Sequence, residues 1–243
     1  MAMTTAPGRD SSRSRAIYLP AELASYLRAA SPVGGWRPST TQVQGWIQRG
    51  LLAPAFREAP IEEVVVDFDD LVSGQAIGLL RAAGISLNRI ERAEAFFVDL
   101  YGVDRPFAHR RFWTSGPDIF GKLGGSMIAG TRGGQLALPF EAEQPRPIET
   151  RLAFDARTGR PISWYPARHV ELRPTTQAGQ PCVSGTSILT ASVKRYARGS
   201  DTLSLVARRL GLRQAEIEAA LDWEHARTSQ RRTDPPVPRD RAS

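Results

Sequence analysis

Two short amphipathic runs separated by a single glycine set the tightest limit on how this chain folds. Leu203, Val206, Ala207 and Leu210 recur at i, i+3, i+4 and i+7, which is one face of a helix. Asp201 and Thr202 precede it as N-cap candidates. Gly211 can supply the left-handed residue that ends it. Ile217, Ala220 and Leu221, with Trp223 beside them, form a second apolar stripe. Two helices joined in this way make a helix-turn-helix pattern, and an ordinary packed helical hairpin fits the same spacing. Arg213 and Gln214 open the second helix and are candidates for touching DNA.

A similar pattern lies near the amino terminus. Pro20 can open a helix whose buried face is Leu23, Ala24 and Leu27. Ser39 and Thr40 cap a second helix with Val43, Trp46 and Ile47 inward, and Gly50 stops it. Its outward polar groups, Thr41, Gln42, Gln44, Gln48 and Arg49, are candidate base readers, since glutamine can bridge adenine and arginine can bridge guanine. A wing-like loop containing Arg57 follows, then a short strand at Val64-Val65-Val66. Phe68 begins a third helix carrying Ile77, Leu79 and Leu80, and Ser86 caps a fourth with Leu87, Ile90 and Phe97 apolar.

Four blocks carry a resemblance: Leu19-Pro20-Ala21-Glu22-Leu23-Ala24, Trp46-Ile47-Gln48-Arg49-Gly50-Leu51-Leu52, Phe68-Asp69-Asp70-Leu71, and Leu80-Arg81-Ala82-Ala83-Gly84-Ile85-Ser86-Leu87-Asn88-Arg89-Ile90. Over residues 17–102 the chain resembles the MerR-type winged helix-turn-helix family. The resemblance implies that the helix at 39–49 enters the major groove while the wing holds the phosphate backbone. Two features depart from that family: a long turn at 30–38, and a wing with Glu58, Glu62 and Glu63 beside Arg57.

The middle of the chain carries weaker signals. Phe107, His109, Arg110, Arg111, Phe112, Trp113 and Phe120 interleave aromatic and basic groups. Such a mixture serves single-strand stacking, packing onto a neighbour, or partner docking. The paired glycines at 124–125 and 133–134 lack phosphate-loop spacing. Residues 141–147, rich in Glu and Pro, read as a linker. Alternation in 151–164, with a turn at 155–159, predicts a β-hairpin, and 170–172 a short strand. A helix is expected at 192–198.

Gly179, Pro181, Gly185, Thr186 and Ile188 match the core of domain of unknown function 433. The chain resembles that family over about 168–226, although Ser187 stands where the family usually has arginine. The family is known chiefly from antitoxins of type II toxin–antitoxin pairs. The order of the two modules is similar to the VapB-type subgroup, whose partner is a PIN-like ribonuclease. The implied function is to neutralise that toxin and to repress the shared operon by binding its operator, double-stranded DNA, as a homodimer. The basic tail with Arg231, Arg232, Arg239 and Arg241 is a candidate toxin-binding segment, because arginine matches a nuclease's clustered carboxylates.

Composition agrees with a polyanion partner. Net charge is +7, and all but two of the 32 Lys and Arg residues are arginine, the exceptions being Lys122 and Lys194. A GC-rich genome yields the same bias. No run approaches the roughly 20 apolar residues of a membrane span. The start lacks the apolar stretch of a signal peptide. The single cysteine, Cys182, excludes an intrachain disulfide. A cytoplasmic location follows as an expectation. His109, His169 and His225 are dispersed, so no metal, cofactor or catalytic residue is assigned. The expected fold is mainly α with short β wings and hairpins: two winged helix-turn-helix-like modules joined by an irregular β-containing segment. The boundaries run 1–16 leader, 17–102 first module, 103–150 connector, 151–227 hairpin and second module, and 228–243 tail. A stand-alone MerR-like regulator and a protein adaptor that touches no DNA are the alternatives.

Overall fold

The chain is mainly helical with short antiparallel sheets. The structure, a computed structural model, describes residues 16–31, 35–53, 64–82, 84–113, 151–199 and 202–229. The expected base of the wing is a pair of strands, β1 (Ile17–Tyr18) and β2 (Val66–Asp67), antiparallel with Tyr18 opposite Val66. The strand therefore starts two residues later than the valine run predicts. Two-residue strands are too short for alternation to show them.

Helix α1 (Pro20–Ala30) starts at a proline and buries Leu23, Ala24 and Leu27. Helix α2 (Thr40–Gln48) has Ser39 at its N-cap and buries Val43 and Trp46. The long turn between them is tied down: Trp36 stacks on Trp46 with ring centroids 5.4 Å apart, and Arg28 Nη1 donates to Pro38 O at 2.8 Å. Helix α3 (Phe68–Ala82) packs on both, with Gly74 letting it approach Leu27, Leu23 and Trp46. Of the apolar residues it carries, Ile77 and Leu80 are buried and Leu79 is 37% exposed. Helix α4 (Leu87–Tyr101) ends at left-handed Gly102, while Ser86 takes the N-cap position without a side-chain cap bond.

The predicted hairpin is present as β3 (Leu152–Phe154) and β4 (Pro161–Ala167), extended by β5 (Val170–Leu172) and β6 (Cys182–Val183) into a four-stranded antiparallel meander. Helix α5 (Thr190–Ala197) begins two residues before its expected start, and Thr190 Oγ1 donates inward to the buried Glu224 at 2.6 Å. Helix α6 (Leu203–Leu210) is capped by Thr202 and closed by Gly211 at φ 65°, and helix α7 (Gln214–Ser229) follows.

The two modules share a core. Leu152, Trp164, Val170, Leu172 and Trp223 join Tyr18, Leu23, Tyr26 and Leu71 in one apolar cluster. A 3₁₀ turn, Pro106–Ala108, and the aromatic rings of Phe97, Phe107, Phe112 and Trp113 complete it. Of the readings open for the aromatic-basic stretch, packing onto the neighbour fits these rings. A smaller second cluster holds Val183, Val193, Val206, Ala207, Ile217 and Ala220. Helix α7 belongs to both: its first half fills the small core, and Trp223 stacks on Tyr26 of α1.

Candidate nucleic-acid interface

Helix α2 is rooted from behind and open in front. Trp46 and Val43 are fully buried, whereas Thr41, Gln42, Gln44, Gln48 and Arg49 are all exposed. Thr41, Gln44 and Gln48 lie at i, i+3 and i+7 and form one uncharged stripe of donors and acceptors. Gly45 lies beside them, and a methyl group there would meet no atom within 4 Å. The face is therefore low and accessible to a base edge.

Two of the five candidates already have partners. Gln42 closes a capping box: its Oε1 accepts from Ser39 N at 2.9 Å, and Ser39 Oγ accepts from Gln42 N at 3.2 Å. Its reach is thereby fixed at the helix start. Arg49 Nη1 donates to Asn88 Oδ1 at 3.0 Å and to Glu91 Oε1 at 2.8 Å, both on α4. Asn88 and Arg92 are exposed and extend the surface away from α2. Neither is among the candidate residues that the sequence offers. They fall on one helical face, but only tertiary packing brings that face to the end of α2.

The chain on either side of residues 54–63, which lie outside the described residues, is stapled by a carboxylate. Asp70 accepts from Ala53 N and from Asp67 N, each at 3.1 Å, and pairs with Arg105. These bonds fix the chain at Ala53 and at Asp67. Burial pushes Asp70 up to about 7 against the pull of Arg105. Burial likewise lifts Glu94 to about 7. Arg57 lies outside the described residues.

The second helix-turn-helix has the expected glycine turn but a different surface. Arg213 and Gln214 are exposed, yet both are held by carboxylates of their own helix. Arg213 pairs with Glu216 at 2.6 Å, and Gln214 Nε2 donates to Glu218 Oε1 at 2.8 Å. The side-chain bond from Arg213 holds Glu216 below the usual carboxylate range. Further along α7, Asp222 and His225 face outward, and the opposite side packs on α1 and α5. An acidic outer face repels phosphate. Helices α5 and α6 carry basic residues and no acidic ones, with Arg195, Arg198 and Arg208 exposed and Tyr196 47% exposed.

The Gly179–Ile188 motif builds a turn. Gly185 has φ 76° and its N–H donates to Glu171 at 3.1 Å, while Ser163 Oγ donates to the same carboxylate at 2.8 Å. Thr186 Oγ1 donates to Val183 O and accepts from Ile188 N. Gly179 has φ 78°, and its carbonyl accepts from the Tyr18 hydroxyl at 3.0 Å. The motif thus joins the sheet to α5 and to the first module. Among the described residues, no group of three or more His, Cys, Asp or Glu is placed to hold a metal ion. No helix among them is long and apolar enough to cross a membrane. The tail arginines 231, 232, 239 and 241 lie outside the described residues.

The fold resembles that of Rv2018 from Mycobacterium tuberculosis. The similarity to its X-ray crystal structure has a TM-score of 0.65 at 18% identity and covers 84% of this chain and 96% of that one. It therefore extends across both modules. At this identity it establishes the architecture alone. No family model and no curated protein matches the sequence.

Proposed function

We propose that this chain binds double-stranded DNA through α2 and serves as the antitoxin of a type II toxin–antitoxin pair, silencing a PIN-like ribonuclease and repressing its own operon. One observation carries the DNA half: the exposed stripe Thr41, Gln44 and Gln48 on a helix whose other side is locked by Trp46. Such amides present the paired donor and acceptor that adenine requires. The net charge of +7 supplies the attraction. The toxin half rests on the sequence resemblance, supported by the basic, acid-free helices α5 and α6 and by the arginines of the tail. A homodimer is part of the proposal, and exposed Phe96 and Leu100 on α4 offer it an apolar face.

The test is a mobility shift of the full chain on the DNA upstream of its own gene, at about 50 and about 200 mM salt. The expected result is sequence-selective retardation that weakens steeply with salt, and weakens again in the Gln44→Ala, Gln48→Ala double variant. Failure to retard any duplex at low salt sinks the DNA half. Copurification with the neighbouring gene product, and loss of nuclease inhibition when the chain is cut after Ala226, test the toxin half. A protein adaptor is the second reading, favoured by the acidic outer face of α7.

A further inference from the structure

Helix α2 itself contains no ionisable residue, so Arg49 at its carboxyl end brings the first charge to the reading surface. Both hydrogens of its Nη1 are committed to α4, one to Asn88 and one to Glu91. Those acceptors stand three residues apart on one face of α4 and hold the guanidinium from one side. The Nε–H and Nη2–H edge has no acceptor among the described residues. That edge offers two parallel donors, the arrangement that fits O6 and N7 of guanine.

Two physical arguments favour a base over a phosphate. A phosphate contact uses charge and tolerates a loose side chain. Here Glu91 offsets the charge of Arg49 and leaves its free donors intact. A base contact needs a fixed direction, and a side chain already held in place loses less rotamer freedom on binding.

We propose that Asn88 and Glu91 are positioning residues that hold Arg49 to read a guanine next to the base pairs facing Gln44 and Gln48. This inference rests on the DNA-binding reading above, and its test separates the two.

The full chain, and its variants, are used to select duplexes from a randomised DNA pool, which are then sequenced. The wild type enriches guanine at one position flanking the remaining motif. Arg49→Lys keeps the charge and cannot bridge the base, so it loses that guanine and keeps the rest of the motif. The Asn88→Ala, Glu91→Ala double variant behaves the same way. Discrimination at that position falls about tenfold or more in both, while the salt dependence of Arg49→Lys stays unchanged. Circular dichroism confirms that each variant is folded, as expected for substitutions at these surface-accessible positions. If the double variant binds all duplexes more tightly and still selects guanine, Glu91 merely restrains a phosphate contact and the inference falls. If all proteins select the same motif, the inference falls while the DNA-binding reading stands. If the wild type selects nothing, both fall.

Discussion

Gly45 is the residue at which reading and stability pull apart. It sits inside α2, in right-handed helical backbone, with open space where a side chain would project. Gly45→Ala should therefore stabilise the fold by about 0.5–1 kcal/mol, measured by chemical denaturation, because the unfolded chain loses freedom. The same methyl raises the reading face and should weaken DNA binding. Gly179 is the opposite case. Its φ is 78°, and an added Cβ would collide with the Tyr18 hydroxyl and Ala16. Gly179→Ala should cost at least about 2 kcal/mol in the same measurement. Glu94 gives the pH dependence. Burial raises its pKa to about 7 from an ordinary value near 4.5. The folded state thus holds a proton that the unfolded state has released, and stability falls as pH rises from about 5 through 7. Glu94→Gln should lessen the fall of stability across that window, the remainder coming from Asp70, which burial lifts to the same range, and raise stability at pH 8 by on the order of 1–2 kcal/mol after solvent screening.

At the scale of elements, α7 is the joint between the modules. Trp223 stacks on Tyr26 and Arg227 lies over the same ring, 4.6 Å from its centroid. Trp223→Ala should cost about 3–5 kcal/mol by denaturation, from lost burial and the cavity left behind. Trp223→Phe should cost far less, since the buried indole N–H has no acceptor among the described residues. The helices were legible because their apolar residues recur on one face and their ends carry signals: Ser39 and Thr202 cap, and Gly102 and Gly211 turn left-handed. The hairpin was legible from alternation around Asp155. What stayed hidden depends on distant contacts. The β1–β2 pair is two residues long, below what alternation can show. For the site, the sequence exposed the amide stripe of α2 but not the partners of Arg49, thirty-nine and forty-two residues away. Nor does the sequence report that Arg213, just before α7, is paired with Glu216.

For the molecule as a whole, one shared core implies one unfolding event. Calorimetry of the full chain should give a single transition, despite two helix-turn-helix patterns. A fragment ending at Trp113 would lack Leu152, Trp164, Val170, Leu172 and Trp223 and bare the surfaces they cover. It should show little protection in hydrogen exchange, whereas two independent domains would leave the fragment as protected as the parent. Tyr18 donates its hydroxyl hydrogen to a carbonyl 161 positions later, and Tyr26 meets its tryptophan later still. A ribosome must therefore release most of the polypeptide before the opening helix finds its permanent neighbours. Until then that helix has to be kept from aggregating, so a nascent chain arrested before Trp223 emerges should remain an open target for proteases and chaperones.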